Sequence, residues 1–300
     1  MGPGVQSRRL RKWSQLGAGA LLALGTTAGV PLKEPTRTWN HVDGKWWQIA
    51  GPAGEAPEVT DAREGNRGKC APGMVEVQGE YHETTGEGDF LQQGACKRWI
   101  NRDFPERCAE FDKERWHKLL SAYPKKPMHF CIDRFEYPNR KGAYPLIVIP
   151  FREAQGLCEA QGKRLCSEVE WTFACEGNDA LPYPYGFVRD TSVCTVDKTW
   201  RQFFGAFQRG NPEPAAKLEL DYLWQGLPSG DKPGCKSPFG VYDMIGNIDE
   251  WTTSSYGGRK SILKGGYWGP VRTRCRPSTR AHDESHAFYQ QGLRCCAAVP

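Results

Sequence analysis

The period of apolar positions changes several times along this chain, and each change marks an element. Gly73 to Gln78 (G-M-V-E-V-Q) alternates apolar and polar residues, the two-residue period of an opening strand. Residues 109–120 carry Phe111, Trp116, Leu119 and Leu120 at roughly helical spacing. Before them lies a polar, glycine-containing loop, then Cys96 and Cys108 bracketing W-I-N-R-D-F-P-E-R. Residues 84–127 therefore read as an insertion that those two cysteines can staple locally. Phe130 to Tyr137 is a predicted strand. Tyr144 to Phe151 (Y-P-L-I-V-I-P-F) is continuously apolar and bounded by prolines, which suits a buried strand or extended segment.

Helix signals follow. Ala154, Leu157 and Cys158 stand at i, i+3 and i+4, and Gly162 ends that run. Ser167 and Glu170 form an S-x-x-E capping box opening a helix through Cys175, stopped by Gly177. Residues 178–238 read mostly as loop. Phe239 to Trp251 (F-G-V-Y-D-M-I-G-N-I-D-E-W) obeys neither period and suits irregular backbone where oxygens converge, as hard cations require. Ser261 to Trp268 and a closing strand near Gly292 to Ala297 complete an α+β domain, loop-rich with short elements.

Composition agrees with that class. The chain has 300 residues, 34 of them glycine and 22 proline, with 12% aromatics, a profile of a loop-rich folded domain rather than a helical bundle. The formal charge of +5 is concentrated at the start, in Arg8, Arg9, Arg11 and Lys12. The rest is close to neutral and has no basic tract, so no nucleic-acid partner is expected. The four charges precede an apolar run, Leu16 to Val30, with a small-residue exit, the layout of a secretory signal. The run is shorter than the ~20 residues of a spanning helix. We therefore expect a signal peptide at 1–28, cleaved near Ala28, a linker at 29–69, and a domain at 70–300; an uncleaved anchor starting near Trp13 is the alternative. That places the protein outside the cytoplasm, periplasmic or secreted, with no stable transmembrane span.

Twelve cysteines lie beyond the signal: Cys70, Cys96, Cys108, Cys131, Cys158, Cys166, Cys175, Cys194, Cys235, Cys275, Cys295 and Cys296. An even number behind an export signal reads as a disulfide framework. Zinc would need C-x-x-C or similar close pairs, and none occurs. Cys194 and Cys235 flank the long loop before residue 239, which suggests that they pair.

F-C-I-D-R-F-E-Y-P-N (130–139), F-R-E-A-Q-G-L-C (151–158), G-K-R-L-C-S-E-V-E-W-T-F-A-C-E-G (162–177), Y-P-Y-G (183–186), the 239–251 run, L-K-G-G-Y-W (263–268) and Q-G-L-R-C (291–295) occur in one order. Together they resemble the sulfatase-modifying-factor, or formylglycine-generating-enzyme, family over about residues 70–300. The resemblance implies an irregular C-type-lectin-like fold, stapled by disulfides and binding calcium. It implies bridges Cys158–Cys295 and Cys175–Cys275, leaving Cys70, Cys131, Cys166 and Cys296 to pair among themselves. It also implies a structural calcium held by Asn247, Glu250 and backbone carbonyls near Ile248, and a second site where Thr195 replaces an asparagine and Asp197 offers a substitute oxygen.

Active members of that family oxidise a substrate cysteine of sulfatases to formylglycine, using copper held by two thiols just after a G-G-S motif. Soft thiolates suit Cu(I). Here the corresponding stretch is G-G-Y-W-G-P-V-R-T-R-C (265–275): Tyr267 replaces the serine, and Gly269 to Arg274 contains no cysteine. Copper is therefore not expected. The expected function is binding of a protein, peptide or envelope glycan, for example as immunity against a secreted toxin. The alternative is the formylglycine-generating oxidase itself. Trp99, Trp116, Trp200, Trp224 and Trp268 are candidate contact aromatics, each more simply explained as core. H-D-E-S-H (282–286) lacks the H-E-x-x-H order of a zinc protease.

Overall fold

A computed structural model describes residues 69–207 and 214–300, together with the backbone of 37–42 and 45–50. The expected signal peptide and most of the linker lie outside the described residues. The linker does contain one regular feature: β1 (Arg37–Val42) and β2 (Lys45–Ala50) pair as an antiparallel hairpin.

Two four-stranded sheets organise the domain. The first contains β3 (Met74–His82), β6 (Lys125–Asp133), β7 (Arg164–Leu165) and β12 (Cys295–Ala297), in the order β3-β6-β12-β7. The second contains β8 (Asp249–Thr253), β9 (Ser261–Lys264), β10 (Ser278–Thr279) and β11 (Gln291–Leu293), in the order β10-β9-β8-β11. Residues 291–297 thus supply a strand to each sheet, with Arg294 at the crossing. Tyr144 to Pro150 lies outside any named strand, bends at Val148 (φ 57°), and buries Tyr144, Leu146, Ile147 and Ile149.

Local chemistry explains the helices. In α4 (Glu168–Glu176) the capping box is complete: Glu170 N–H donates to Ser167 Oγ at 3.2 Å, and Ser167 N–H donates to Glu170 Oε2 at 2.9 Å. Arg164 grips the same carboxylate with two donors, tying the helix start to β7. For α2 (Lys113–Leu120), Asp112 caps the Arg115 N–H at 2.8 Å. α3 (Phe151–Glu159) buries Phe151, Ala154 and Cys158 on one face. Trp116, Trp171 and Trp251 are fully buried, and each indole N–H has an acceptor: Ala180 O, Glu250 Oε2 and Ile149 O.

Two regions differ from the sequence expectation. The insertion is ordered as α1 (Gly88–Gly94) followed by a hairpin of β4 (Cys96–Asn101) and β5 (Arg107–Phe111). Within the supposed loop, Ala215–Leu223 forms α5, burying Ala216, Leu220 and Leu223. That i, i+4, i+7 pattern was present in the sequence, but Pro214 stands at the N-cap and no side chain announces the helix. Its buried Glu219 accepts N–H groups from Phe204, Gly205, Ala206 and Phe207, so one carboxylate fixes the preceding loop.

All twelve cysteines are bridged: 70–131, 96–108, 158–295, 166–296, 175–275 and 194–235. Neighbours on a strand point to opposite faces, so Cys295 reaches α3 while Cys296 reaches Cys166 on the other side. The 158–295 bridge closes a span of 137 residues. Replacing both cysteines by alanine is expected to cost about 3–5 kcal/mol, read as a lower urea midpoint with a steeper slope, because the unfolded chain expands once the cross-link is gone.

Candidate functional site

The 239–251 segment is irregular, as its composition requires. Gly246 has φ +73°, and a Cβ there would run into the Thr195 carbonyl, so only glycine fits. Asp243 and Asn247 also take positive φ, at 55° and 53°. Glu250, on β8, forms a two-pronged ion pair with Arg294, with Nε to Oε2 and Nη2 to Oε1 both at 2.7 Å. The two side chains are 1% and 0% exposed. Trp171 also donates to Glu250 Oε2, while Arg294 gives two further donors to the carbonyls of Asp133 and Tyr242.

Asn247 spends its amide differently. Its Nδ2 donates to both Glu136 oxygens, at 3.1 and 2.8 Å, and to the Leu227 carbonyl; its Oδ1 accepts the Leu227 N–H at 2.8 Å. Calcium needs six to eight converging oxygens. As arranged, Glu250 is turned onto a guanidinium and Asn247 presents N–H groups to the neighbouring acid, so the set Asn247, Ile248, Glu250 does not fit that ion. Asp197, the substitute donor of the second expected site, is likewise held by Arg189 and Arg107, at 2.7 and 3.1 Å. Among the described residues no group of three or more His, Cys, Asp or Glu is placed to hold a metal. His282 and His286 stack on each other, and His286 Nδ1 lies 2.9 Å from Gln291 Oε1.

Around the ion pair the acids are uneasy. Burial, then the neighbouring Asp243 and Glu250, push Glu136 well above the usual carboxylate range. Burial pushes Asp243 up to about 7, against the Gly230 N–H and Arg294, which pull it down.

A cleft opens where the resemblance places the two reacting thiols. Its volume is about 300 Å³, and its walls include Leu263, Gly266, Tyr267, Val271 and Arg272. No cysteine lines it. Gly265 and Gly266 take φ +91° and +70°, turning the chain from β9 so that Tyr267 faces the cleft. Asp249 and Gln290 form part of the lining and are 6% and 8% exposed. Asp249 Oδ1 and Gln290 Oε1 have no hydrogen-bond partner in the protein. Burial raises Asp249 to about 7, opposed by the Gly266 N–H and Arg272. The sequence motifs missed both residues: Asp249 sits inside the signature, where the flanking Asn247 and Glu250 drew attention, and Gln290 precedes the Q-G-L-R-C motif.

Of the candidate contact aromatics, Trp116, Trp224 and Trp268 are buried, Trp99 is half-buried, and Trp200 is 55% exposed.

These features define a loop-rich, mixed α/β scaffold whose last strands and signature loop frame one cleft. The sequence profile of the sulfatase-modifying factor enzyme 1-like domain matches residues 112–299, and the chain belongs to that family. Over 171 residues it is 27% identical to a Bos taurus protein named inactive C-alpha-formylglycine-generating enzyme 2, covering 54% of this chain and 52% of that one. It is 28% identical over 117 residues to the formylglycine-generating enzyme of Mycobacterium tuberculosis, covering 39% and 35%. The chain therefore spans about half the length of the first of these relatives, and less of the second. Among solved structures, PvdO from Pseudomonas aeruginosa superposes with a TM-score of 0.44 at 17% identity, covering 77% of this chain and 97% of that one.

Two outcomes test the site's electrostatics. Arg294→Met strands a buried carboxylate and is expected to cost about 3–5 kcal/mol, whereas adding Glu250→Gln should recover part of the loss in denaturant titration. Asp243 and Asp249 carry folded pKa values near 7, above the ordinary unfolded value of about 3.9. The folded state then holds protons that the unfolded state has released. Their contribution is complete below about pH 4 and is lost as pH rises through about 7, and Asp243→Asn should flatten that decline in unfolding free energy.

Proposed function

We propose that this chain is an exported, non-oxidising member of its family that works by binding a protein, peptide or envelope glycan at the cleft bounded by β9 and residues 265–282. One observation carries the reading: all twelve cysteines are committed to bridges, and none borders the cleft. Cu(I) in such chemistry needs a pair of soft thiolates. Cys275, the cysteine that follows the cleft loop, is tied to Cys175 and buried.

Export is supported by the basic, then apolar, start of the chain and by the number of bridges, which form and persist in oxidising compartments. No helix among the described residues is long and apolar enough to cross a membrane. Similarity to relatives named inactive favours the same non-oxidising reading. Calcium is not part of the proposal, because the expected ligands are engaged with protein partners.

The test incubates the full chain with Cu(I), oxygen and a peptide containing C-x-P-x-R, and follows the peptide by mass spectrometry. The peptide cysteine should remain intact, with no stoichiometric copper retained. Formylglycine in the peptide would overturn the reading.

A further inference from the structure

The H-D-E-S-H run lacks the order of a zinc site, but the fold gives its two histidines another arrangement. His282 and His286 stand four residues apart on the segment between β10 and β11. Their rings stack face to face, with centroids 3.8 Å apart and planes 16° from parallel. Phe288 stacks against His286 at 5.4 Å. Gln291 on β11 accepts from His286 Nδ1, whereas the His282 ring makes no hydrogen bond among the described residues. Neutral rings stack well at this spacing. Two imidazolium rings bring like charges to van der Waals distance, in half-buried surroundings where water screens the repulsion poorly.

The segment's ties to its neighbours are modest. The Phe151 N–H donates to the Glu284 carbonyl at 3.1 Å, and Arg259 donates to the His282 carbonyl at 3.4 Å. Arg152 pairs with Glu284 at 3.5 Å from a largely exposed position. Asp283 is turned onto the N–H and hydroxyl of Ser285, within the segment itself. Position gives the stack its consequence. His282 lines both the cleft beside Tyr267 and a wider surface groove of about 750 Å³ bordered by Pro150, Arg259 and Lys260.

We propose that residues 281–288 form an acid-released flap: the neutral His282–His286 stack holds it closed, and protons on both rings drive them apart and open the wall between cleft and groove. The effect on binding rests on the cleft being the binding site; the release itself does not. Burial, then His286, lowers His282 below the ordinary imidazole value of about 6.5, with Asp283 pulling the other way. The released flap therefore takes up protons that the closed flap refuses. Closure is complete above about pH 6.5 and is lost as pH falls through that value and below it. The charged groups facing the pair come from every neighbouring element: Arg152 and Glu153 of α3, Arg259 and Lys260 of the β8–β9 turn, Asp249 and Arg272 across the cleft, and Arg280, Asp283 and Glu284 along its own segment. Arg152, Arg272 and Arg280 are each paired with an acid, while Arg259 and Lys260 are further like charges that resist a second proton.

Hydrogen exchange of the full chain tests this, read by mass spectrometry at about pH 5 and about pH 8 and corrected for the intrinsic rate at each pH. Amides of 281–288 are expected to lose protection by at least about tenfold at the lower pH, while those of β6 keep theirs. His282→Phe keeps a ring in the stack and removes one proton site, so its flap should stay protected at both pH values. His286→Phe should do the same from the other side. Proton–carbon NMR of the unsubstituted chain supplies a readout free of variants: the Cε1–H signals of His282 and His286 should titrate in two separate steps, each ring sensing the other's proton. Equal protection at both pH values, a folded phenylalanine variant that still opens in acid, or two histidines that titrate independently overturns the proposal. No ligand or copper enters these measurements, so their failure leaves the non-oxidising reading standing, and formylglycine in the peptide assay would leave the flap standing.

Discussion

The Glu250–Arg294 ion pair is the constraint around which the domain is assembled. A charge pair held at 1% and 0% exposure is costly unless every donor and lone pair is met. Trp171 from α4, the Asp133 carbonyl from β6 and the Tyr242 carbonyl from the signature loop all converge to meet them. Arg294 also lies between β11 and β12, the strands that join the two sheets. One guanidinium therefore ties both sheets, a helix and the irregular loop into a single arrangement.

The same arrangement separates the tasks of the cysteines from those of the cleft. Cys295 and Cys296 follow Arg294 directly and send bridges to opposite faces, so covalent links reinforce what the ion pair positions. The cleft beyond β9 receives no sulfur and is equipped instead with a buried carboxyl, an amide oxygen and apolar walls. In this family member the bridges belong to the frame, and the cleft is lined by polar and apolar side chains without sulfur.

Much of the frame was legible because its signals are local. Ser167 and Glu170 stand three residues apart and cap one another, and Ala154 and Cys158 share a helical face, so neither helix needs distant context. The seven ordered motifs pointed to the family. Helix α5 was hidden because it lacks a capping side chain, and the β4–β5 hairpin because its strands are irregularly paired and only partly buried. The calcium expectation for Asn247 and Glu250 treated side-chain oxygens as free. Whether they are free depends on Arg294 and Glu136, which lie 44 and 111 residues away.

Residue order alone determined the α+β class, the disulfide character and the lack of a thiol pair after Gly265–Gly266, because composition, short-range spacing and missing atoms are properties of the chain itself. Tertiary structure decided which acids are paired and which are left wanting a partner. Asp249 and Glu250 are adjacent in sequence, yet strand alternation points one toward the cleft and the other toward Arg294. Burial and pairing belong to the folded surroundings of a side chain, and those surroundings come from residues far away along the chain.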